Sequence, residues 1–135
     1  MATEREGART VRSDQNPVFK DLRKLLGTRG IKKPGRAILA GSKLATEALR
    51  QHPARCMAWI SPEEGPPPPD DAPDALAWYQ LERALFRELD IFGTHTPLLV
   101  MRTPEIEPWS PEAGLPAGAS LLLPFQDPEN LGTAI

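Results

Sequence analysis

A run of five apolar residues at positions 56–60 (CMAWI) constrains the fold of this 135-residue chain more than any other segment. Its side chains are apolar at odd and at even positions, so both faces of the strand that it predicts need a cover. Strands covered on both faces are typical of parallel sheets with helices on either side. Strand-like and helix-like patterns alternate around this run, which predicts an α/β domain of about 90 residues with a mostly parallel sheet.

Local patterns predict the other elements. Asn16 and Pro17 are typical of a helix start, and Gly27 is typical of a helix end. The expected helices share apolar residues at helical spacing and lie at 17–26, 42–52 and 74–89. The expected strands share short apolar runs and lie at 37–40, 56–60, 91–92 and 98–101. Residues 61–73 are rich in proline, which favours an extended, solvated loop.

Composition divides the chain into four parts. Residues 1–15 are polar and are expected to form a disordered tail, whereas residues 16–103 hold the α/β pattern. Residues 104–119 contain prolines and glycines that break all periodicity, which predicts a linker. Residues 120–135 begin with a further apolar run, which predicts one orphan strand at the start of a second domain.

Charge is distributed unevenly along the chain. Residues 1–60 hold 13 Lys and Arg against 5 Asp and Glu, a balance of +8, whereas residues 61–135 hold 3 against 13, a balance of −10. Such a split concentrates positive potential on part of the surface and favours a polyanionic partner there. The alternative is that basic and acidic faces neutralise each other within one fold.

The basic segment 27–36 (GTRGIKKPGR) is the best candidate for contact with RNA. Its cations suit phosphate groups, and its glycines allow the backbone to approach closely. Cations on the preceding helix and at the start of the second helix extend the predicted surface. The residues predicted to bind RNA are Lys20, Arg23, Lys24, Arg29, Lys32, Lys33, Arg36 and Lys43. Aromatic residues are scarce there, so recognition of shape and phosphates is expected, and the alternative is a merely solvated basic loop.

The last pattern in the sequence is DPENLGT at positions 127–133, which follows the apolar run LLLPF. Asp, Pro and Asn at such positions have an ordinary explanation as a turn and a helix cap. The segment also resembles the first signature motif of the SpoU (TrmH-like) family of RNA ribose 2'-O-methyltransferases. In that family the motif opens the catalytic domain and ends in an arginine, and this sequence stops one residue before that position. The resemblance implies that Asn130 is a catalytic residue beside the ribose, with Asp127, Pro128 and Gly132 shaping the turn.

The resemblance extends to the family's N-terminal substrate-binding domain over residues 16–103. It is carried by AILAGSKL at 37–44, by LFREL at 85–89 and by GTHTP at 93–97. It implies a small fold akin to ribosomal proteins that bind RNA, with structured rRNA or tRNA as the partner. It further implies that S-adenosylmethionine and a homodimer belong to a catalytic domain outside this sequence, so that this 135-residue chain is an inactive, monomeric RNA-binding module.

Other functions receive less support from the residues. The sequence has neither an 18-residue apolar run nor a signal-peptide pattern, so a cytoplasmic protein is expected. Cys56 is expected to be a buried thiol, no metal site is expected, and His95 is expected to be a solvated loop histidine. The main alternative is a stand-alone RNA-binding protein without catalysis, and a protein-interaction module that uses Pro66 to Pro69 is a third possibility.

Overall fold

The computed structural model of the chain describes residues 7–27, 35–105 and 107–124. The strands in these residues are β1 Arg9–Val11, β2 Arg36–Leu39, β3 Cys56–Pro62, β4 Ala77–Leu81 and β5 Leu98–Arg102. The α-helices are α1 Pro17–Lys24, α2 Ser42–Gln51 and α3 Arg83–Leu89. The five strands form one sheet in the order β1-β4-β3-β5-β2, so the α/β class is confirmed.

The sheet is mixed and not mostly parallel in its pairing. β1 with β4 and β4 with β3 are parallel, whereas β5 is antiparallel to both β3 and β2. Four of the five described strands therefore point the same way, but only two of the four pairings are parallel. After α3 and the loop at residues 90–97, β5 starts beside the finish of β3 and runs back.

Each face of the sheet has its own hydrophobic core, as the apolar run at 56–60 predicts. Ala58 and Ile60 of β3 pack on the side of α1 and α3, and Cys56 and Trp59 pack on the side of α2. A bulge between Cys56 and Ala58 changes the simple alternation of faces. The helices of the first core contribute Phe19, Leu22, Leu85, Phe86 and Leu89. The sheet is thus a central layer between two covers.

The predictions for α1, β2, α2, β3 and β5 are confirmed, whereas the expected tail at 1–15 is wrong in part. Arg9–Val11 forms β1 and pairs with β4, with Val11 only 2% exposed. Three residues with one inward apolar side chain give almost no periodic signal, so the sequence alone did not indicate a strand.

The expected helix at 74–89 is a strand followed by a shorter helix. β4 takes Ala77–Leu81, and α3 begins only at Arg83. The aromatic pair Trp78 and Tyr79 suits a strand, and the Trp78 indole donates a hydrogen bond to the Ser61 hydroxyl on β3 at 3.0 Å. The strand expected at 91–92 is also wrong, because Ile91 and Phe92 lie in a turn and are 59% and 69% exposed.

The proline-rich loop after β3 is not simply solvated. Ala72 and Leu76 are buried in the core on the α2 side of the sheet, and the Trp59 indole donates to the Pro66 carbonyl at 3.1 Å. The loop supplies part of the cover that α2 alone, with ten residues, does not provide.

The chain divides into two compact units with the boundary after Glu105. In the second unit Pro111–Ala113 forms a single 3-10 turn, and Leu121 and Leu122 are exposed. Residues 120–124, where a strand was expected, carry none, because a strand needs a partner for its backbone hydrogen bonds. No helix within the described ranges is long and apolar enough to cross a membrane.

Candidate nucleic-acid interface

Helix α1 presents three of the predicted cations to solvent. The Asn16 side chain caps the helix by accepting a hydrogen bond from the Val18 amide at 2.9 Å. Phe19 and Leu22 are buried against the sheet. Lys20 and Lys24 lie on the opposite face, and the exposed Arg23 lies beside Phe19 at the edge of the buried face. Arg23 and Lys24 are in the final turn, where cations interact favourably with the helix dipole.

Hydrogen bonds fix Gly35 and Arg36, the residues that follow segment 28–34. Arg36, the first residue of β2, donates two hydrogen bonds to the Asp21 carboxylate on α1, at 2.7 and 2.9 Å. The Gly35 carbonyl accepts a hydrogen bond from the Thr103 amide at 2.8 Å, and Gly35 has a φ of 59°, which glycine adopts without strain. The C-terminal part of α1 and the start of β2 therefore lie at the same end of the sheet.

The Asp21–Arg36 pair changes the role expected of Arg36. The hydrogen bonds between Arg36 and Asp21 lower the pKa of Asp21 and raise the pKa of Arg36. Arg36 is predicted from the sequence to contact RNA, but its guanidinium is already held bidentately by a carboxylate. In the structure it links β2 to α1 and positions the ends of the basic segment.

Two further arginines lie at this end of the sheet. Arg36 stands opposite Arg102 in the pairing of β2 with β5, and Arg55 immediately precedes Cys56, which pairs with Met101 of β5. Both Arg55 and Arg102 are exposed. We call the exposed cations Lys24, Arg55 and Arg102, together with the positioned Arg36, the basic end. Sequence reasoning missed Arg55 and Arg102, because only the antiparallel run of β5 brings them together.

Arg23 is less available than its neighbours on α1. Its guanidinium lies 3.6 Å from the Glu88 carboxylate on α3 and 5.8 Å from the centre of the Phe19 ring. Both side chains of the pair are about half exposed, so the interaction is weak and screened by salt. Arg23 can exchange Glu88 for a phosphate at little cost.

The structure separates Lys43 from the other predicted cations. Lys43 lies in the first turn of α2, which follows the far end of β2, and α2 covers the opposite face from α1. The remaining predicted site residues lie outside the described residues. They are Arg29, Lys32, Lys33, Asp127, Pro128, Asn130 and Gly132.

The described residues of the basic end offer cationic side chains that can bind anions. No cluster of His, Cys, Asp or Glu that could hold a metal ion occurs within residues 7–27, 35–105 and 107–124. The Cys56 thiol is buried as predicted, and burial raises its pKa, which keeps it protonated and unreactive. Exposed guanidinium and ammonium groups on a firm scaffold suit phosphate groups.

Comparison with known proteins finds relatives that are longer than this chain. No family model matches the sequence. The chain is 52% identical over 134 residues to "Ribosomal RNA small subunit methyltransferase G 2" of Syntrophobacter fumaroxidans (strain DSM 10017 / MPOB). That alignment covers 99% of this chain but only 27% of the relative.

Solved structures share the fold. A crystal structure of an RNA 2'-O ribose methyltransferase superposes with a TM-score of 0.63 at 20% identity, over 92% of this chain and 49% of that one. An rRNA methyltransferase from Sinorhizobium meliloti gives a TM-score of 0.56 at 14% identity, over 72% of this chain and 38% of that one. Its AdoMet-bound form gives a TM-score of 0.58 at the same identity. The chain thus has a fold found within RNA methyltransferases and spans less than half of each.

Proposed function

We propose that this chain binds structured RNA through the basic end, as the RNA-binding part of a longer RNA methyltransferase. The observation that carries the proposal is that Lys24, Arg55 and Arg102 lie exposed at the same end of the sheet as Arg36. In the sequence, segment 28–34 joins α1 to β2 and contains Arg29, Lys32 and Lys33. A related protein that is named as a ribosomal RNA methyltransferase supports the choice of RNA among polyanions.

Binding at this end is electrostatic and insensitive to sequence. Lys24, Arg55 and Arg102 are exposed, and none of them forms an ion pair within 4 Å in the described part of the chain, although the charge of Lys24 helps to lower the pKa of Asp21. Each phosphate that a cation neutralises releases a counterion from the RNA. The described basic end offers no exposed aromatic side chain on which a base could stack, so it would grip the backbone and leave base recognition to other contacts.

The methyltransferase part of the proposal rests on the names of the relatives and on the SpoU resemblance of residues 127–133. In this proposal the full-length protein transfers a methyl group from S-adenosylmethionine to a ribose 2'-hydroxyl of rRNA or tRNA, with Asn130 beside that ribose. One of the solved structures named above is an RNA 2'-O ribose methyltransferase, and the curated relative is named for small-subunit rRNA. The proposal places the cofactor site and the homodimer contact in the remainder of the longer protein.

A cleft beside Pro62, between α3 and the loop that carries His95, does not suit S-adenosylmethionine. Five of the seven residues that line it are Glu, Arg or His, whereas the adenosine of S-adenosylmethionine needs a mostly apolar slot. A stand-alone RNA-binding protein would use the same basic end. The coverage of only 27% of a relative named as a methyltransferase favours the longer enzyme over that alternative.

A salt titration tests the RNA-binding proposal. Dissociation constants of the 135-residue chain for a structured rRNA hairpin would be measured at several salt concentrations. Each lost phosphate contact flattens the log–log slope by about 0.7 to 0.9, so replacing Lys24, Arg55 and Arg102 with Gln should flatten it by about two units. Arg50→Gln, an exposed cation on α2, serves as the control and should leave the slope unchanged. A triple variant with the slope of the parent would refute the proposal.

A second experiment tests the catalytic assignment. The chain alone should neither bind S-adenosylmethionine measurably nor methylate RNA, whereas the longer protein should do both. In the longer protein Asn130→Ala should reduce turnover far more than RNA affinity, because positioning of the ribose acts on the reaction and not on the grip on phosphates. Unchanged turnover would remove Asn130 from the site, and RNA binding without methylation by the longer protein would favour the stand-alone alternative.

A further inference from the structure

A cleft of about 330 Å³ lies at the end of the sheet opposite the basic end. It sits where the parallel strands β3 and β4 finish, beside Pro62 and between α3 and the loop that carries His95. In sheets of this kind ligands bind beyond the carboxyl ends of the strands. None of the residues that line the cleft was predicted from the sequence to bind RNA.

Two walls of the cleft are built from strained but well-supported backbone. Glu64 and His95 have φ values of 65° and 56°, and they are the non-glycine residues with positive φ in the described chain. Both line this cleft. Such conformations are costly for side chains other than glycine and persist where the surroundings fix them, most often at functional sites.

Hydrogen bonds to a buried carboxylate fix the loop that carries His95. Asp90, 7% exposed, accepts hydrogen bonds from the Thr94 amide, the Thr94 hydroxyl and the His95 amide at 3.0, 3.0 and 2.8 Å. These bonds hold the loop so that the His95 imidazole lines the cleft.

The wall that carries Glu64 is fixed by a tight turn after β3. The Gly65 amide donates to the Pro62 carbonyl at 2.8 Å, and the Glu63 amide donates to the Leu81 carbonyl at 2.8 Å. A Cβ atom on residue 65 would lie 2.8 Å from the Pro62 carbonyl oxygen, so only glycine fits. The turn therefore holds its shape without a ligand.

The charges in the cleft leave one arginine without a partner. Glu63 accepts a hydrogen bond from Arg12 at 2.8 Å, and Glu64 lies 3.3 Å from Arg83. Arg87 is four residues after Arg83 on the same face of α3 and has no carboxylate partner within the described ranges. His95 lines the same cleft, and its imidazole makes no hydrogen bond to the described residues, although its charge helps to lower the pKa of Asp90.

We propose that this cleft binds one phosphate group of the RNA, held by Arg87 and by the imidazole of His95. The inference rests on the proposed RNA partner and adds a second contact at the far end of the sheet. A guanidinium and an imidazole both donate N–H bonds to phosphate oxygens. The cleft is concave, so a phosphate that protrudes from the RNA can enter it, whereas the backbone of a smooth duplex cannot.

A protruding phosphate can come from an unpaired nucleotide or from a 5' end. Three otherwise identical RNA hairpins separate these sources: one fully paired with a 5'-hydroxyl, one with a single-nucleotide bulge, and one with a 5'-phosphate. The 135-residue chain should bind the bulged or the phosphorylated hairpin about tenfold more tightly than the plain one, as expected of a charge-assisted contact. The preferred hairpin identifies the source.

Arg87→Gln and His95→Asn should each abolish that preference and leave the affinity for the plain hairpin unchanged. Gln keeps the exposed helix surface of α3, and Asn tolerates a positive φ, so both variants should fold. Arg50→Gln is the matched control for the loss of an exposed helical arginine and should keep the preference. The basic-end triple variant should weaken binding to all three hairpins and keep the preference.

The outcomes separate this inference from the proposed function. Equal affinity of the parent for all three hairpins, or a preference that survives both cleft variants, would overturn the phosphate site and leave RNA binding intact. No measurable binding to any hairpin at low salt would overturn the proposed function together with the inference.

Discussion

The two ends of the sheet present cations in opposite ways. At the basic end Lys24, Arg55 and Arg102 extend from the finishes and starts of elements into solvent. At the cleft end the side chains line a concave site, and the backbone around Glu64 and His95 is held in conformations that need support. The first arrangement attracts any polyanion, whereas the second selects by shape.

The anchors of the two ends differ in burial. Asp21, which holds Arg36 at the basic end, has a side chain 47% exposed, whereas Asp90 at the cleft end is a buried residue with three donors. Exposed ion pairs contribute little to stability, because water and salt screen them. Hydrogen bonds to a buried carboxylate contribute more, because removal leaves donors unpaired. The cleft end should therefore be the more sensitive of the two to substitution.

Replacement of the two anchors by alanine should show the largest difference. Asp90→Ala should lower the free energy of unfolding by about 2 to 3 kcal/mol, since two amides and a hydroxyl lose their acceptor. Asp21→Ala should lower it by less than about 1 kcal/mol, since the pair with Arg36 is partly exposed. Urea denaturation of both variants measures the difference, and equal losses would contradict the contrast between the ends.

The contrast between the ends could be predicted only in part from the sequence. The apolar run of β3 predicted a covered strand, and Asn16, Pro17 and Gly27 predicted the bounds of α1, because these signals are local. β4 was read as helix because Leu81, Leu85 and Leu89 also fit helical spacing.

The sites depend on contacts that are not local. Arg55 and Arg102 lie at one end of the sheet only because β5 runs antiparallel to its neighbours. His95 lines the same cleft as Arg87, on a loop that hydrogen bonds to Asp90 fix. The spacing of these residues in the sequence predicts neither placement. A signal was present for the cleft in hindsight, since Asp90, Thr94 and Thr96 are typical of a loop closed by side-chain hydrogen bonds.

Substitution of one glycine at each end should give the next largest difference. Gly65→Ala places a methyl group 2.8 Å from the Pro62 carbonyl oxygen, which should cost about 2 kcal/mol or more because backbone must move. Gly35→Ala meets no atom within 4 Å but keeps a φ of 59°, so only the left-handed conformation opposes it, at about 1 kcal/mol. Thermal denaturation compares the two, and a larger loss for Gly35→Ala would reverse the ranking.

Acid should weaken both anchors. Burial raises the pKa of Asp90, but the hydrogen bonds from His95 and Thr94 outweigh it and bring that pKa below its ordinary value. The pKa of Asp21 is lowered by the hydrogen bonds from Arg36. A lowered folded-state pKa contributes stability above the unfolded value of about 3.9, and that stability is lost as the pH falls through the folded-state pKa.

The free energy of unfolding should therefore fall as the pH drops below about 4. Asp90→Asn and Asp21→Asn should each reduce this pH dependence, and each asparagine variant keeps the size of the side chain it replaces. Urea denaturation at a series of pH values measures the slopes. A parent whose stability is flat through this range would show that neither carboxylate is held as the structure describes.

The smallest effects are expected from substitutions of Arg36, which test whether this residue only links β2 to α1 or also binds RNA. Arg36→Lys keeps the charge and loses the bidentate geometry with Asp21, so it should lower the free energy of unfolding by less than about 1 kcal/mol. If Arg36 acts only by linking β2 to α1, the salt dependence of RNA binding should keep the slope of the parent in Arg36→Lys and also in Arg36→Gln. Arg102→Gln, its neighbour across the strand pair, should flatten the slope by nearly one unit, about 0.7 to 0.9. Equal flattening by Arg36→Gln and Arg102→Gln would mean that the guanidinium of Arg36 leaves Asp21 for a phosphate when RNA binds.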